Sequence, residues 1–131
     1  MPYIQEILNY HLDGYAHVNN ARYLEFLEAA RWHYFKQHLP FDSLQQAQLV
    51  VARMDIRYRR AAKLGDILHI HSQLIQAQSR QFIVEQRIVF ADSAQLCVQA
   101  DVTLMPTDNH GRVFRLPENL LTAFQQLIAS S

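Results

Sequence analysis

The sequence predicts an α+β fold in which a curled antiparallel sheet of about five strands wraps one long helix, with a short C-terminal helix closing the chain. Three observations carry that prediction. A long helical repeat runs from Asn20 to His38, four stretches of two-residue alternation follow it, and a last apolar segment returns to the helical period. Sequential amphipathic strands joined by short turns suit an antiparallel meander with one apolar face, and the early helix is the cover at hand.

Taken in order, Tyr3 to Tyr10 reads as a first short strand. In the helical repeat Tyr23, Phe26, Leu27, Ala30 and Tyr34 recur at three- and four-residue spacing, with Leu24 and Phe35 widening the stripe. Asn19 and Asn20 mark the start, since their side chains accept hydrogen bonds from the first free backbone amides. At ~1.5 Å per residue the helix spans roughly 28 Å. Its wide apolar surface, Trp32 included, calls for burial on more than one side. Pro40, Phe41, Asp42 and Ser43 end the helical pattern and form a connection.

The first long strand places Val50, Ala52, Met54, Ile56 and Tyr58 on one face and Arg53, Asp55, Arg57 and Arg59 on the other. Gly65 and Asp66 open the second, where Leu68, Ile70 and Leu74 oppose His69, His71 and Gln73. Phe82, Val84, Ile88 and Phe90 mark the third. After a turn at Ala91 to Ala94, Leu96, Val98, Ala100, Val102 and Leu104 mark the fourth. Pro117 to Ile128 carries Leu120, Leu121, Phe124, Leu127 and Ile128 and reads as the terminal helix, with Pro117 in its first turn.

With 131 residues, half of them apolar and 18% charged, the chain forms a single domain over 1–131 and buries roughly two thirds of its unfolded surface. Twelve basic and twelve acidic residues balance, so bulk charge attracts neither nucleic acid nor anionic membrane. The lone Cys97 forms no internal disulfide, which favours a reducing compartment. The first residues lack the basic start and apolar core of a signal peptide, and no apolar run approaches membrane-spanning length. The expectation is a cytoplasmic protein.

The run Asp13, Gly14, Tyr15, Ala16, His17, Val18, Asn19, Asn20, Ala21, Arg22, Tyr23, followed by Glu28 and Arg31, resembles the signature of hotdog-fold acyl-CoA thioesterases of the 4-hydroxybenzoyl-CoA thioesterase-like group. Over YHLDGYAHVNNARYLEFLEAARW and YRRAAKLGD it is more similar to the long-chain acyl-CoA thioesterases linked to fatty-acid β-oxidation. Element order agrees along nearly the whole chain. Where a proline often follows the two arginines in that group, this chain has Ala61, a difference that bears on a turn more than on chemistry.

The resemblance implies a catalytic role for Asp13, and thioester hydrolysis needs such a group. A nucleophile or water-activating base must stand on one side of the carbonyl, and donors must stabilise the developing oxyanion. A helix N-terminus offers unpaired amides and partial positive charge; the resemblance places the polarising amide near Asn20. His17 assists protonation of the leaving thiolate, or holds Asp13 in place, or serves the turn. On spacing alone Asp13-Gly14 is also an ordinary turn pair, and Asn19 or Asn20 an ordinary cap. Glu28 is a reserve base that could otherwise pair with Arg31 along the helix.

Candidate substrate contacts are Tyr23, Glu28, Tyr58, Arg59 and Arg60, although Tyr23 also reads as core packing. Arg57, Arg59, Arg60 and Lys63 gather positive charge at a strand end, and guanidinium groups match coenzyme A phosphates in charge and fork geometry. His69 and His71 share a strand face without a third metal ligand in sight, so neither metal nor cofactor is expected. The favoured activity is hydrolysis of acyl-CoA thioesters, of medium to long fatty acyl chains. A hydratase or dehydratase using Asp13 and His17, and a non-catalytic acyl-thioester binding protein, are the alternatives. Exposed sheet edges and the resemblance both imply a homodimer or homotetramer with the active site at the dimer interface.

Overall fold

The computed structural model describes residues 1–130, and the long helix α1 (Asn20–His38) crosses one face of a five-stranded antiparallel sheet. The strands are β1 (Tyr3–Glu6), β2 (Leu49–Tyr58), β3 (Ile67–Gln78), β4 (Gln81–Phe90) and β5 (Leu96–Pro106). Helix α2 (Phe41–Ala47) follows α1, and α3 (Glu118–Ala129) closes the chain. The expected hotdog architecture is present. No helix among the described residues is long and apolar enough to cross a membrane.

Alternation explains the core. Leu68, Ile70 and Leu74 of β3, Phe82, Val84 and Ile88 of β4, and Val98, Ala100, Val102 and Leu104 of β5 all point inward and are buried. Against them α1 buries Tyr23, Phe26, Leu27, Ala30 and Phe35. Phe124 of α3 stacks on Phe82 at 4.8 Å and meets Phe35 edge-on at 6.0 Å, plugging the far end. Each such aliphatic or aromatic side chain contributes about 1.5–3 kcal/mol on burial.

The strand order is β1-β3-β4-β5-β2, which departs from a plain sequential meander. Only β3, β4 and β5 run side by side in order; β2 pairs with β5 at one edge, and β1 with β3 at the other. The segment from Arg59 to Asp66 therefore carries the chain from one edge back to the other. It is tied down on the way, where Arg59 and Arg60 amides donate to Cys97 O (2.8 and 3.3 Å), Val18 N to Ala62 O (3.0 Å) and Gly65 N to Ile7 O (3.0 Å).

Three bulges revise the predicted faces. The register of β2 on β5 skips Ala52, so Val51 joins Met54, Ile56 and Tyr58 opposite the buried residues of β5, while Val50 faces outward. Ile75 is the extra residue of β3, and Cys97 that of β5, where the bulge turns its thiol fully inward although it alternates in sequence with the apolar set Leu96, Val98 and Ala100. Other expectations also give way. The first strand stops at Glu6 and a 3-10 turn spans Asn9–His11; α2 replaces the connection after Pro40; and Pro117 caps α3 from just outside it. Trp32 is 45% exposed and Leu24 42%, so the sheet covers one side of α1 and its flank toward β2 stays open.

Candidate active site

Leu12 and Val18 form an isolated antiparallel bridge, so the chain between them must reverse at once. Asp13 makes the reversal. Its amide donates to His17 O at 2.7 Å, its carbonyl accepts the Ala16 amide at 3.2 Å, and its Oδ1 accepts the amides of Tyr15 (2.8 Å) and His17 (3.2 Å). A short carboxylate bonding its own backbone is what lets Asp direct a tight turn. The left-handed residue is Ala16, with φ of 62°, and not the neighbouring glycine. An alanine there costs about 1–2 kcal/mol, a strain held only because the surrounding bonds fix the turn.

Those bonds leave the second oxygen of Asp13 without a partner among the described residues. The turn role and a chemical role are therefore compatible, one oxygen for each. Asp13 lines a cavity of about 420 Å³ together with His17, Val18, Asn19, Asn20, Tyr23 and Tyr58 to Ala61.

The helix start forms the facing wall. Asn19 caps α1, its Oδ1 accepting the Ala21 amide at 3.0 Å and its carbonyl the Arg22 amide at 2.9 Å. Its own amide donates to His11 O at 2.9 Å, which fixes the angle at which the chain enters the helix. The Asn20 amide, the first of the helix, finds no acceptor among the described residues. An unsatisfied N–H at the positive end of a helix is a ready donor to a developing negative oxygen.

His11 was not singled out by sequence, yet it anchors this wall. It is buried; its Nδ1 accepts the Leu8 amide at 2.9 Å, and its ring meets Phe26 edge-on at 5.1 Å. Burial, aided by the Arg22 charge, holds its pKa below the ordinary 6.5, so the neutral form that can accept this bond is favoured.

The third wall is the chain leaving β2. Tyr23 is buried, and its hydroxyl accepts the Ala62 amide at 3.0 Å, while Ala62 O accepts the Val18 amide. One residue of the crossing segment thus ties the helix to the Asp13 turn. The Cys97 bulge braces the same segment, its carbonyl taking both arginine amides and its Sγ lying 3.1 Å from Arg60 O and 3.8 Å from the Tyr23 hydroxyl. Burial pushes the Cys97 thiol up to about 11 and the Tyr23 hydroxyl well above its usual range, so both stay protonated and neutral. Tyr58 stacks obliquely on Tyr23 at 5.7 Å and, 47% exposed, forms the rim with Arg59 and Arg60.

The structure brings Asp13, His17, Asn20, Tyr23, Tyr58, Arg59 and Arg60 to one cavity. Glu28 stands elsewhere, on a separate groove farther along α1, and makes no ion pair with Arg31, whose Nη1 donates instead to Gln86 Oε1 at 3.1 Å. Arg57 lies opposite Gln99 on the outer sheet face. Lys63 sits around the corner, where its amide meets the Asp66 carboxylate at 2.8 Å. His71 lies opposite Arg87, and burial and that charge lower its pKa.

A family model for the thioesterase-like superfamily matches residues 8–124. The long-chain acyl-CoA thioesterase FadM of Escherichia coli is 41% identical over 105 residues, covering 79% of this chain and 80% of that one. The crystal structure of YbaW from Escherichia coli, a probable thioesterase, superposes with a TM-score of 0.85 at 36% identity, over 98% of each chain. A thioesterase from Thermus thermophilus, complexed with coenzyme A and zinc, gives 0.83 at 27% identity, over 97% of this chain and 93% of that one.

Proposed function

The chain belongs to the thioesterase-like superfamily, and on that premise we propose that it hydrolyses acyl-CoA thioesters, of medium to long fatty acyl chains, to the free acid and coenzyme A. One observation carries the reading: Asp13, with one carboxylate oxygen unpartnered, and Asn20, with its amide unsatisfied, line the same cavity. A thioester carbonyl seated there has a donor at its oxygen and a carboxylate at its carbon.

Two routes use that geometry. In one, Asp13 attacks the carbonyl carbon, the C–S bond breaks, coenzyme A leaves as its thiol, and water hydrolyses the resulting mixed anhydride. In the other, Asp13 takes a proton from water as the water attacks, and collapse of the tetrahedral intermediate breaks the C–S bond. In both, Asn20 N–H stabilises the oxyanion and His17, on the cavity wall, supplies a proton to the departing sulfur. Arg59 and Arg60 at the rim suit the nucleotide phosphates. A cytoplasmic setting and a homodimer complete the proposal: β2 is a long edge strand, and pairing it with a second copy would continue the sheet and bring that copy to the Tyr58 rim.

Thiol release from acyl-CoA esters of increasing chain length tests the reading. Asp13→Asn keeps the turn's acceptor oxygen while removing the basic one, and is expected to lower turnover at least ~100-fold, as for the loss of a comparable transition-state contact. Turnover that survives Asp13→Asn would remove this residue from the mechanism. Repeated turnover in heavy-oxygen water separates the routes, because only an anhydride leaves label in the Asp13 carboxylate.

A further inference from the structure

Tyr23 does more to the rim of the cavity than line it. It stands in the first turn of α1, three residues past the Asn20 amide, and its side chain reaches both ends of the stretch 58–62 that carries Arg59 and Arg60. At one end its ring stacks on Tyr58 at 5.7 Å; at the other its hydroxyl accepts the Ala62 amide at 3.0 Å. Tyr23 is 3% exposed and Ala62 fully buried, so without that hydroxyl the amide would be stranded away from water. A buried N–H in that state is costly enough to shift its peptide toward another acceptor. The middle of the stretch is held from β5: Cys97 O takes the Arg59 and Arg60 amides, and Cys97 Sγ lies 3.1 Å from Arg60 O and 3.8 Å from the Tyr23 hydroxyl. The hydroxyl therefore has an amide on one side and a thiol on the other, and its place is to brace the chain.

Ala62 is also where the rim meets the hydrolytic turn, because its carbonyl accepts the amide of Val18, the residue after His17, at 3.0 Å. An acyl-CoA ester bound as described above is read at two places, its thioester by Asp13 and Asn20 and its phosphates by Arg59 and Arg60. The distance between those places must match the arm that joins them. Guanidinium charge alone does not supply the match, since a long side chain on a loose segment loses conformational freedom with every contact it makes. Resting on that reading of the site, we propose that Tyr23 is a positioning residue that sets this span, fixing the rim arginines relative to the start of α1, and that it thereby determines the preference for thioesters that carry a nucleotide.

The measurement is a ratio: kcat/KM for an acyl-CoA ester over kcat/KM for the same acyl group on N-acetylcysteamine, which has the thioester and lacks the nucleotide. A loss of active protein scales both values alike, so a merely structural fault leaves the ratio where it was. Tyr23→Phe keeps the ring on Tyr58 and removes only the hydroxyl. It is expected to lower the ratio about fivefold, the scale of one neutral hydrogen bond, and Arg59→Ala combined with Arg60→Ala roughly tenfold or more. Added to that arginine pair, Tyr23→Phe is expected to lower the ratio no further, because no guanidinium remains to be misplaced. An unchanged ratio in Tyr23→Phe, or the same loss with and without the arginines, overturns the proposal. Cys97→Ala releases Arg60 O from the other side and takes the place of Tyr23→Phe should that variant not fold; an unchanged ratio there overturns it equally. A ratio that the arginine pair leaves unmoved ends the phosphate contact and this proposal together, while thiol release by the wild type from both substrates keeps the hydrolase reading standing.

Discussion

At the residue scale, Asp13 and His11 divide the work of holding an exposed turn against a buried helix. Asp13 closes the turn through one oxygen, and His11 sets the helix entry by taking the Leu8 amide on Nδ1 and the Asn19 amide on its carbonyl. Protonation at Nδ1 would break the first of these bonds. Because burial depresses the pKa of folded His11, the unfolded chain binds protons more readily near pH 6.5, so stability present above that value is lost as pH falls through it. The loss should be about 1 kcal/mol, the scale of one hydrogen bond. His11→Asn retains an acceptor without the titration. Melting temperatures measured between about pH 7.5 and 5.5 should fall less steeply in that variant. His71, also depressed, contributes equally to both profiles, so parallel curves would exclude His11 as the titrating group.

At the element scale, the crossing segment from Arg59 to Asp66 joins the sheet's two edges and walls the active site. Its anchors, Cys97 O for Arg59 and Arg60 and Tyr23 Oη for Ala62, hold two guanidinium groups at the cavity rim. If they meet coenzyme A phosphates, Arg59→Ala or Arg60→Ala should raise KM for CoA esters about tenfold, the scale of one charge-assisted bond. A short thioester lacking the nucleotide should change little; equal effects on both substrates would discard the phosphate contact. The sequence made only part of this segment legible. The limits of α1 and the inward faces of β3, β4 and β5 follow from local period, and the Asp13 to Asn20 run lies in one stretch. Bulges do not announce themselves: one extra residue at Ala52 or Cys97 inverts parity without altering composition. Likewise the pairing of β2 with β5 is a long-range choice, and it sets Arg57 opposite Gln99 while Arg59 lies past the end of the strand. His11 escaped notice because its significance is burial against Phe26, a property of packing.

At the scale of the whole molecule, the two sheet edges differ. β1 offers four residues, whereas β2 offers ten with Val50, Val51 and Tyr58 each nearly half exposed, flanked by the open side of α1 carrying Leu24 and Trp32. A long edge with exposed aliphatic side chains is a template for another strand unless charge blocks it. Edge pairing of two β2 strands is closed and two-fold, so it stops at a dimer instead of growing. Tyr58 ends that edge and rims the Asp13 cavity, so association and catalysis should fail together. Ala52 is exposed and is the residue that β5 leaves unpaired, so Ala52→Lys places a charge on the edge with little burden on the protomer. Sedimentation should give twice the 15.3 kDa chain mass for the wild type and the single chain mass for the variant, with unchanged circular dichroism and a loss of thiol release. A variant that sediments as a monomer and retains full turnover would show that each protomer holds a complete site, and the edge would then serve assembly alone.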